Sequence, residues 1–207
     1  MKWLSYILLL PLFLINTATA TSQDTDFIMD ERDGNIYLIM KFGQHWWMCQ
    51  NLKFDMGDGS SCYEDDETNC MLKGRWYTFE AAKKACPEGF RLPGDEEWMA
   101  LESYMGMDKA ELQKKYIRNS GKIGKYLKVD GGVGFDAEFA GLVNPQARDA
   151  YFETHAYFWT STALDEKNGW TRVFEQGLDG INRKMIPKEY GLSVRCIKDA
   201  DADIDKE

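Results

Sequence analysis

The thiol and imidazole chemistry open to this 207-residue chain rests on seven side chains: Cys49, Cys62, Cys70, Cys86, Cys196, His45 and His155. Residues four apart in a strand share a face, so His45 and Cys49 can be drawn as a thiol dyad. Cys49, however, lies between Met48 and Gln50 in an aromatic stretch, and a reactive thiol needs an electropositive, partly exposed setting. Cys49 is therefore expected to be a buried free thiol. No serine or cysteine sits in a G-x-S-x-G elbow, and two histidines are too few for a zinc site once disulfides form. The reading assigns no catalytic residue, no metal ligand and no cofactor. Asp55, Asp58, Glu64, Asp65, Asp66 and Glu67 crowd one loop with the oxygens that calcium prefers, but their spacing is not that of an EF-hand. They are expected to form a solvated acidic loop. Tryptophan faces can stack on sugar rings, and Trp170 follows the turn-forming run Asp165–Gly169. Trp170, Arg172, Asn182, Arg183 and Tyr190 are the expected ligand-binding set.

These residues sit in a chain marked for export. Lys2, an apolar run from Ile7 to Ile15 and the small-x-small pattern Ala18-Thr19-Ala20 read as a signal peptide over residues 1–20, too short to span a bilayer. No transmembrane segment is expected in the remainder, which is placed as secreted, periplasmic or on the cell surface. Losing Lys2 takes the formal charge from −9 to −10, with 24 basic residues against 34 acidic. That balance repels phosphate backbones, and no basic stripe offsets it, so nucleic acid is excluded as a partner. In an exported chain cysteines read as a disulfide framework, and an odd number leaves one over. Cys62 and Cys70 flank a polar loop and can close it as a clip. Cys86 and Cys196 would then close a loop of about 110 residues, worth about 4–5 kcal/mol in the chain-entropy model. Spacing alone leaves this connectivity open.

The elements that must hold these groups follow from local pattern. Residues from Thr21 to about Asp26 read as a loose lead-in, and Asp33-Gly34-Asn35 as a turn. Ile36–Phe42 and His45–Leu52 form an opening hairpin, and residues 55–70 a surface loop. Thr78 caps a helix that Pro87 and Gly89 end. Pro93-Gly94 then opens a second helix, with Glu97 three residues past the cap position and Trp98, Leu101 and Met105 on one face. Asp108 and Glu111 open a third, reaching about Arg118. Glycines recur from Gly121 to Gly141, and Tyr151–Thr162, Gly169–Phe174 and Gly191–Ile197 read as strands. Helices in the first half with strands at both ends predict one α+β domain over residues 27–199, with antiparallel strands, two to three short helices and a loop-rich second half. Residues 200–207 read as an acidic disordered tail.

In order along the chain, several motifs resemble those of one family. Gly34-x-x-Tyr37 with Phe42-Gly43-Gln44-His45-Trp46-Trp47-Met48-Cys49-Gln50-Asn51-Leu52 resembles the opening of the Fibrobacter succinogenes major paralogous domain. Gly74-Arg75-Trp76-Tyr77-Thr78-Phe79 and the run from Ala85-Cys86-Pro87 through Arg91-Leu92-Pro93 to Glu97-Trp98 and Leu101 resemble its centre. Gly134-Phe135, Phe158-Trp159-Thr160-Ser161-Thr162 and Gly191–Ile197 resemble its closing blocks. The resemblance spans about residues 30–199; Cys49 departs from it, occupying a position usually held by a small residue. It implies an exported or cell-surface domain with a C-type lectin-like fold, in which the termini share a sheet and a long disulfide reaches the last strand. Cys86 and Cys196 sit where that bridge would be. Of the lectins' calcium–sugar signature only Asn144-Pro145 is echoed, with no Trp-Asn-Asp after it.

The expected function is a non-catalytic exported binding or adhesion domain, with a polysaccharide or a cell-surface protein as partner. The alternatives are a structural subunit of a surface assembly and an oxidase-type enzyme. The enzyme reading rests on Arg91-Leu92-Pro93, Glu97-Trp98 and Val194-Arg195-Cys196, which resemble elements of formylglycine-generating enzymes. The active-site cysteine pair of those enzymes has no match once four cysteines are bridged.

Overall fold

Gly34, at φ +74°, turns the chain between its first two strands, a conformation glycine adopts without cost. The computed structural model describes residues 23–146 and 148–200; the expected signal peptide and, apart from Ala200, the acidic tail lie outside them. Strands β1 (Thr25–Met29), β2 (Ile36–Phe42) and β3 (His45–Met48) run antiparallel. Two short strands follow, β4 (Ser60–Ser61) and β5 (Trp76–Tyr77), with helix α1 (Glu67–Lys73) between them. Helices α2 (Phe79–Ala85), α3 (Asp95–Tyr104) and α4 (Lys109–Leu112) lead to β6 (Tyr116–Arg118) and α5 (Ile123–Leu127). After β7 (Leu142–Val143) and β8 (Asp149–Ala150) come the long strands β9 (His155–Ala163), β10 (Asn168–Glu175) and β11 (Ile181–Pro187), and last β12 (Ile197–Asp199). One sheet has the order β1-β2-β3-β12, the other β6-β11-β10-β9, and every pairing within them is antiparallel. Strands from the two ends of the described chain thus share a sheet in one α+β domain.

The periodicity of α3 sets its orientation. Trp98 and Leu101 enter a core cluster with Trp47, Phe135 and Phe158, and Trp98 meets Trp47 edge-on at 4.9 Å between centroids. The Glu97 carboxylate accepts from the Gly94 N–H, and Asp95 N–H donates to Thr162 Oγ1 at 3.0 Å, which ties the helix start to β9. A second cluster, with Tyr37, Leu52, Phe79, Trp159 and Val194, holds α2 against β9. A side chain at Gly169 would meet the Phe79 ring at 2.8 Å, so α2 and β10 approach only because that residue is glycine.

Some elements differ from expectation. The third helix ends at Leu112, not near Arg118, because Tyr116–Arg118 joins the sheet edge opposite Ile181–Arg183. Loop 55–70 contains the start of α1, whose N-terminus is capped by the Asp66 carboxylate accepting from Thr68 N–H at 2.8 Å. Met71 and Leu72 of that helix are exposed. The lead-in pairs as β1 with β2, and β11 occupies a stretch in which no strand was expected. The described residues therefore hold five short helices. None of them is long and apolar enough to cross a membrane.

Residues 191–199 stitch the molecule together. Leu192 bridges to Tyr77, Ser193 to Phe158 and Gly191 to Val143, while Ile197 exchanges two backbone hydrogen bonds of 2.9 Å with Arg91. Disulfides join Cys86 to Cys196 and Cys62 to Cys70, and Cys49 is free and buried. Buried Arg195 donates to Asn51 Oδ1 at 2.7 Å and to the carbonyls of Met48, Phe135 and Asp136. Opening and closing motifs of the chain thus meet through one guanidinium.

Candidate functional site

None of the five expected ligand-binding residues forms an exposed surface. Trp170 is 7% exposed, with the Arg183 guanidinium stacked 3.7 Å from its ring centroid. The turn before it is exposed, but Trp170 itself lies on the β10 face that packs toward α3 and α4, with Lys115 also over its ring. Arg172 is fully buried and bonds Asp95 and Glu102 at 2.6 Å each. Arg183 shares Asp95 with it, and Glu102 also holds Arg118. Three arginines and two acids thus form a buried network under α3. Tyr190 is half-buried against the core cluster of Phe79 and Trp159. Asn182 is also buried, at 6% exposure, with its amide donating to Glu175 at the rim of a polar patch.

That patch is assembled at the end of the second sheet. The cross-strand register sets His155 opposite Glu175, and beside them the row Tyr157, Val173 and Asn182, which is buried at 5%, 0% and 6% exposure. Direct antiparallel partners put their side chains on one face. Upstream, the Tyr151 carbonyl accepts from Thr154 N–H, Thr154 Oγ1 and His155 N–H, closing a tight turn with Tyr151 at φ +62°. A non-glycine residue in this conformation is held there by its surroundings. Phe152 supplies the hold by stacking on Tyr63 at 3.8 Å and 10°, and Asp149 Oδ2 accepts from Glu64 N–H at 2.9 Å.

The turn leaves Tyr151 54% exposed beside two more rings. Its centroid lies 4.7 Å from His155 and 5.9 Å from Tyr157, and His155 and Tyr157 are parallel within 12° at 5.8 Å. Glu175 Oε1 accepts from the Asn182 amide at 2.6 Å and lies 3.7 Å from Lys184 Nζ; its other oxygen is 3.8 Å from His155 Nε2. Burial holds the His155 imidazole below its ordinary value and Lys184 adds to the effect, against the pull of Glu175. The result is one exposed ring, Tyr151, over half-buried His155 and buried Tyr157, with the Glu175 carboxylate and the Lys184 ammonium at its edge, a combination suited to ligands with both apolar faces and hydroxyls.

The remaining chemistry-bearing residues are committed elsewhere. Cys62, Cys70 and Glu67 offer atoms within 4.8 Å of one another, but both sulfurs are bonded and Glu67 holds Arg75. Burial pushes the Cys49 thiol up to about 11, with Arg195 opposing. Asp55 accepts from Gly57 N–H and Ser60 Oγ.

The model of the Fibrobacter succinogenes major domain matches residues 40–198. The chain belongs to this family. No curated protein and no solved structure matches it. Within the family match, the buried motif residues Asn51, Trp98, Trp159 and Arg195 build the scaffold, and exposed Arg91 joins it through its backbone hydrogen bonds to Ile197. Tyr151, His155 and Glu175 lie within the matched residues but outside the motifs quoted above. In the sequence their trace is the spacing His155-x-Tyr157, which places two rings on one side of β9; the turn at Tyr151 brings the third ring beside them.

Proposed function

We propose that this member of the family is an exported, non-catalytic binding domain that takes its ligand on the exposed Tyr151 ring and the half-buried His155 beside it. The observation that carries this reading is the exposed Tyr151 ring, held out by a constrained turn beside Glu175, Asn182 and Lys184. A polysaccharide fits that chemistry best, since a pyranose offers C–H faces to rings and hydroxyls to the polar edge. The oxidase-type alternative is disfavoured by its need for a pair of cysteines, because Cys49 stands alone with its thiol raised. The lectin-like reading of the fold belongs to the same proposal: terminal strands share a sheet, and Cys86 is bonded to Cys196 just before the last strand.

Retention of the purified protein on insoluble cellulose, xylan and bacterial cell-envelope polysaccharide tests the reading. Wild type should be retained on at least one of these, and Tyr151→Ala should elute freely while keeping its far-ultraviolet circular dichroism. Elution of wild type from every polysaccharide would remove the saccharide reading; equal retention of both proteins would remove the site.

A further inference from the structure

The first sheet has the order β1-β2-β3-β12, so β1 pairs with β2 on one side and is open on the other among the described residues. Leu38, opposite Phe27, takes its N–H to the Gln50 side chain and its carbonyl to Cys49 N–H. Phe27 and Leu38 therefore exchange no backbone bond, and the Phe27 N–H and C=O point out of the sheet. The Phe27 N–H donates only to the neighbouring Asp26 carboxylate, at 2.8 Å. The Asp24 carbonyl, of the opposite parity, accepts from Lys41 N–H, so Thr25 and Met29 face outward with Phe27. The strand has no lysine or proline to block a further strand.

The side chains agree with the backbone. Phe27, Met29 and Ile36 are 66%, 60% and 65% exposed. The register that sets Met29 opposite Ile36 and Phe27 opposite Leu38 puts these apolar groups on one face. Single exposed apolar residues are ordinary, but a contiguous row along an open edge marks an interaction surface.

Charge decides what that edge takes. A cavity of about 400 Å³ at the end of β1 is lined by Met29, Asp30, Glu31, Arg32, Pro87 and Glu88. Arg32 is committed to Asp30, at 2.6 and 2.8 Å, whereas the exposed carboxylates of Glu31 and Glu88 have no partner among the described residues. The last residues of the chain, Asp201–Glu207, hold four acids against one lysine, and a second copy would bring the same acids on a formal charge of −9. This rim repels both and attracts a cationic strand.

We propose that β1 accepts an extended, basic peptide segment of another protein as a fifth strand of the first sheet. Its alternate apolar side chains lie over Phe27 and Met29, and its lysine or arginine enters the cavity of Glu31 and Glu88. This surface shares no residue with the Tyr151 site and does not depend on it.

The test is fluorescence anisotropy of the purified protein with labelled nine-residue peptides of alternating valine and threonine. One carries a lysine pair at each end, the second a glutamate pair at each end, and the third is the lysine peptide with its valine nitrogens methylated. The lysine peptide should bind saturably, the glutamate peptide about tenfold or more weakly, and the methylated peptide not at all, since it cannot donate to the edge. Amide protons of Thr25, Phe27 and Met29 should exchange more slowly when the lysine peptide is bound. Reversing both exposed acids, Glu31→Lys with Glu88→Lys, should weaken that peptide about tenfold while leaving the circular dichroism unchanged. Absence of saturable binding by the lysine peptide would overturn strand addition, as would equal binding of the methylated peptide. Equal binding of the glutamate peptide would overturn the basic class. Protection of the same three amides that rises with protein concentration alone would show that a second copy, not a basic partner, occupies the edge.

Discussion

Asp95 holds two arginines inside the protein, and its own carboxyl is held in turn. Burial alone raises it, but the hydrogen bonds and charges of Arg183 and Arg172 bring it below its ordinary 3.8. Because the folded value is depressed, this group contributes stability that is present above the unfolded value of about 3.9 and is lost as pH falls through the folded one. Asp95→Asn should therefore destabilise the protein by about 3–5 kcal/mol at neutral pH, since it leaves Arg172 and Arg183 buried without their counter-charge. Urea denaturation at pH 7 and at pH 3 measures both effects. The gap between wild type and variant should shrink at the lower pH; a gap that stays constant would show that the carboxylate charge is not what stabilises the network. Neither acid partner was legible from sequence. Arg172 and Arg183 were expected as ligand contacts because they are polar groups grouped with Trp170, which follows a turn, but Asp95 and Glu102, which take them, lie 77 and 70 positions away from Arg172.

At the scale of elements, the two disulfides do unequal work. The chain-entropy model assigns about 4.7 kcal/mol to closing a loop of about 100 residues and about 3 kcal/mol to one of about 15. Cys86–Cys196 spans 110 residues and ties the loop after α2 to the residue before β12, whereas Cys62–Cys70 spans 8 and braces the turn on which Phe152 stacks. Replacing Cys86 and Cys196 together by serine should cost more stability in chemical denaturation than replacing Cys62 and Cys70. The reverse order would mean that native packing around the clip, not chain entropy, governs the difference. The short α4 follows a similar logic. Asp108 and Glu111 carry a helix-start pattern, yet Arg118 gains more by joining the sheet edge, where its guanidinium bonds Glu102 at 2.6 and 2.7 Å.

Taken as a whole molecule, the two core clusters lie on either side of one junction, residues 191–199, which bridges to Val143, Tyr77, Phe158, Arg91 and β3. Neither sheet can open without breaking that junction, so unfolding should be a single cooperative step. Tryptophan fluorescence and far-ultraviolet circular dichroism should give superimposable denaturation curves, and two separated transitions would contradict the shared junction.

By itself the sequence determined the α+β class, the opening hairpin, the helix carrying Trp98 and the family to which the chain belongs. These rest on local chemistry: period-two and period-3.6 apolar patterns, a glycine turn, a helix-start glutamate and motifs read in order. Tertiary structure decided which cysteines pair and which polar residues meet solvent. Trp170 and Arg172 are buried, and Tyr151, His155, Glu175 and Lys184 become a surface, because strand register and the order β6-β11-β10-β9 set who faces whom. Register depends on pairings between distant segments, and a shift of one residue would turn each of these side chains to the other face.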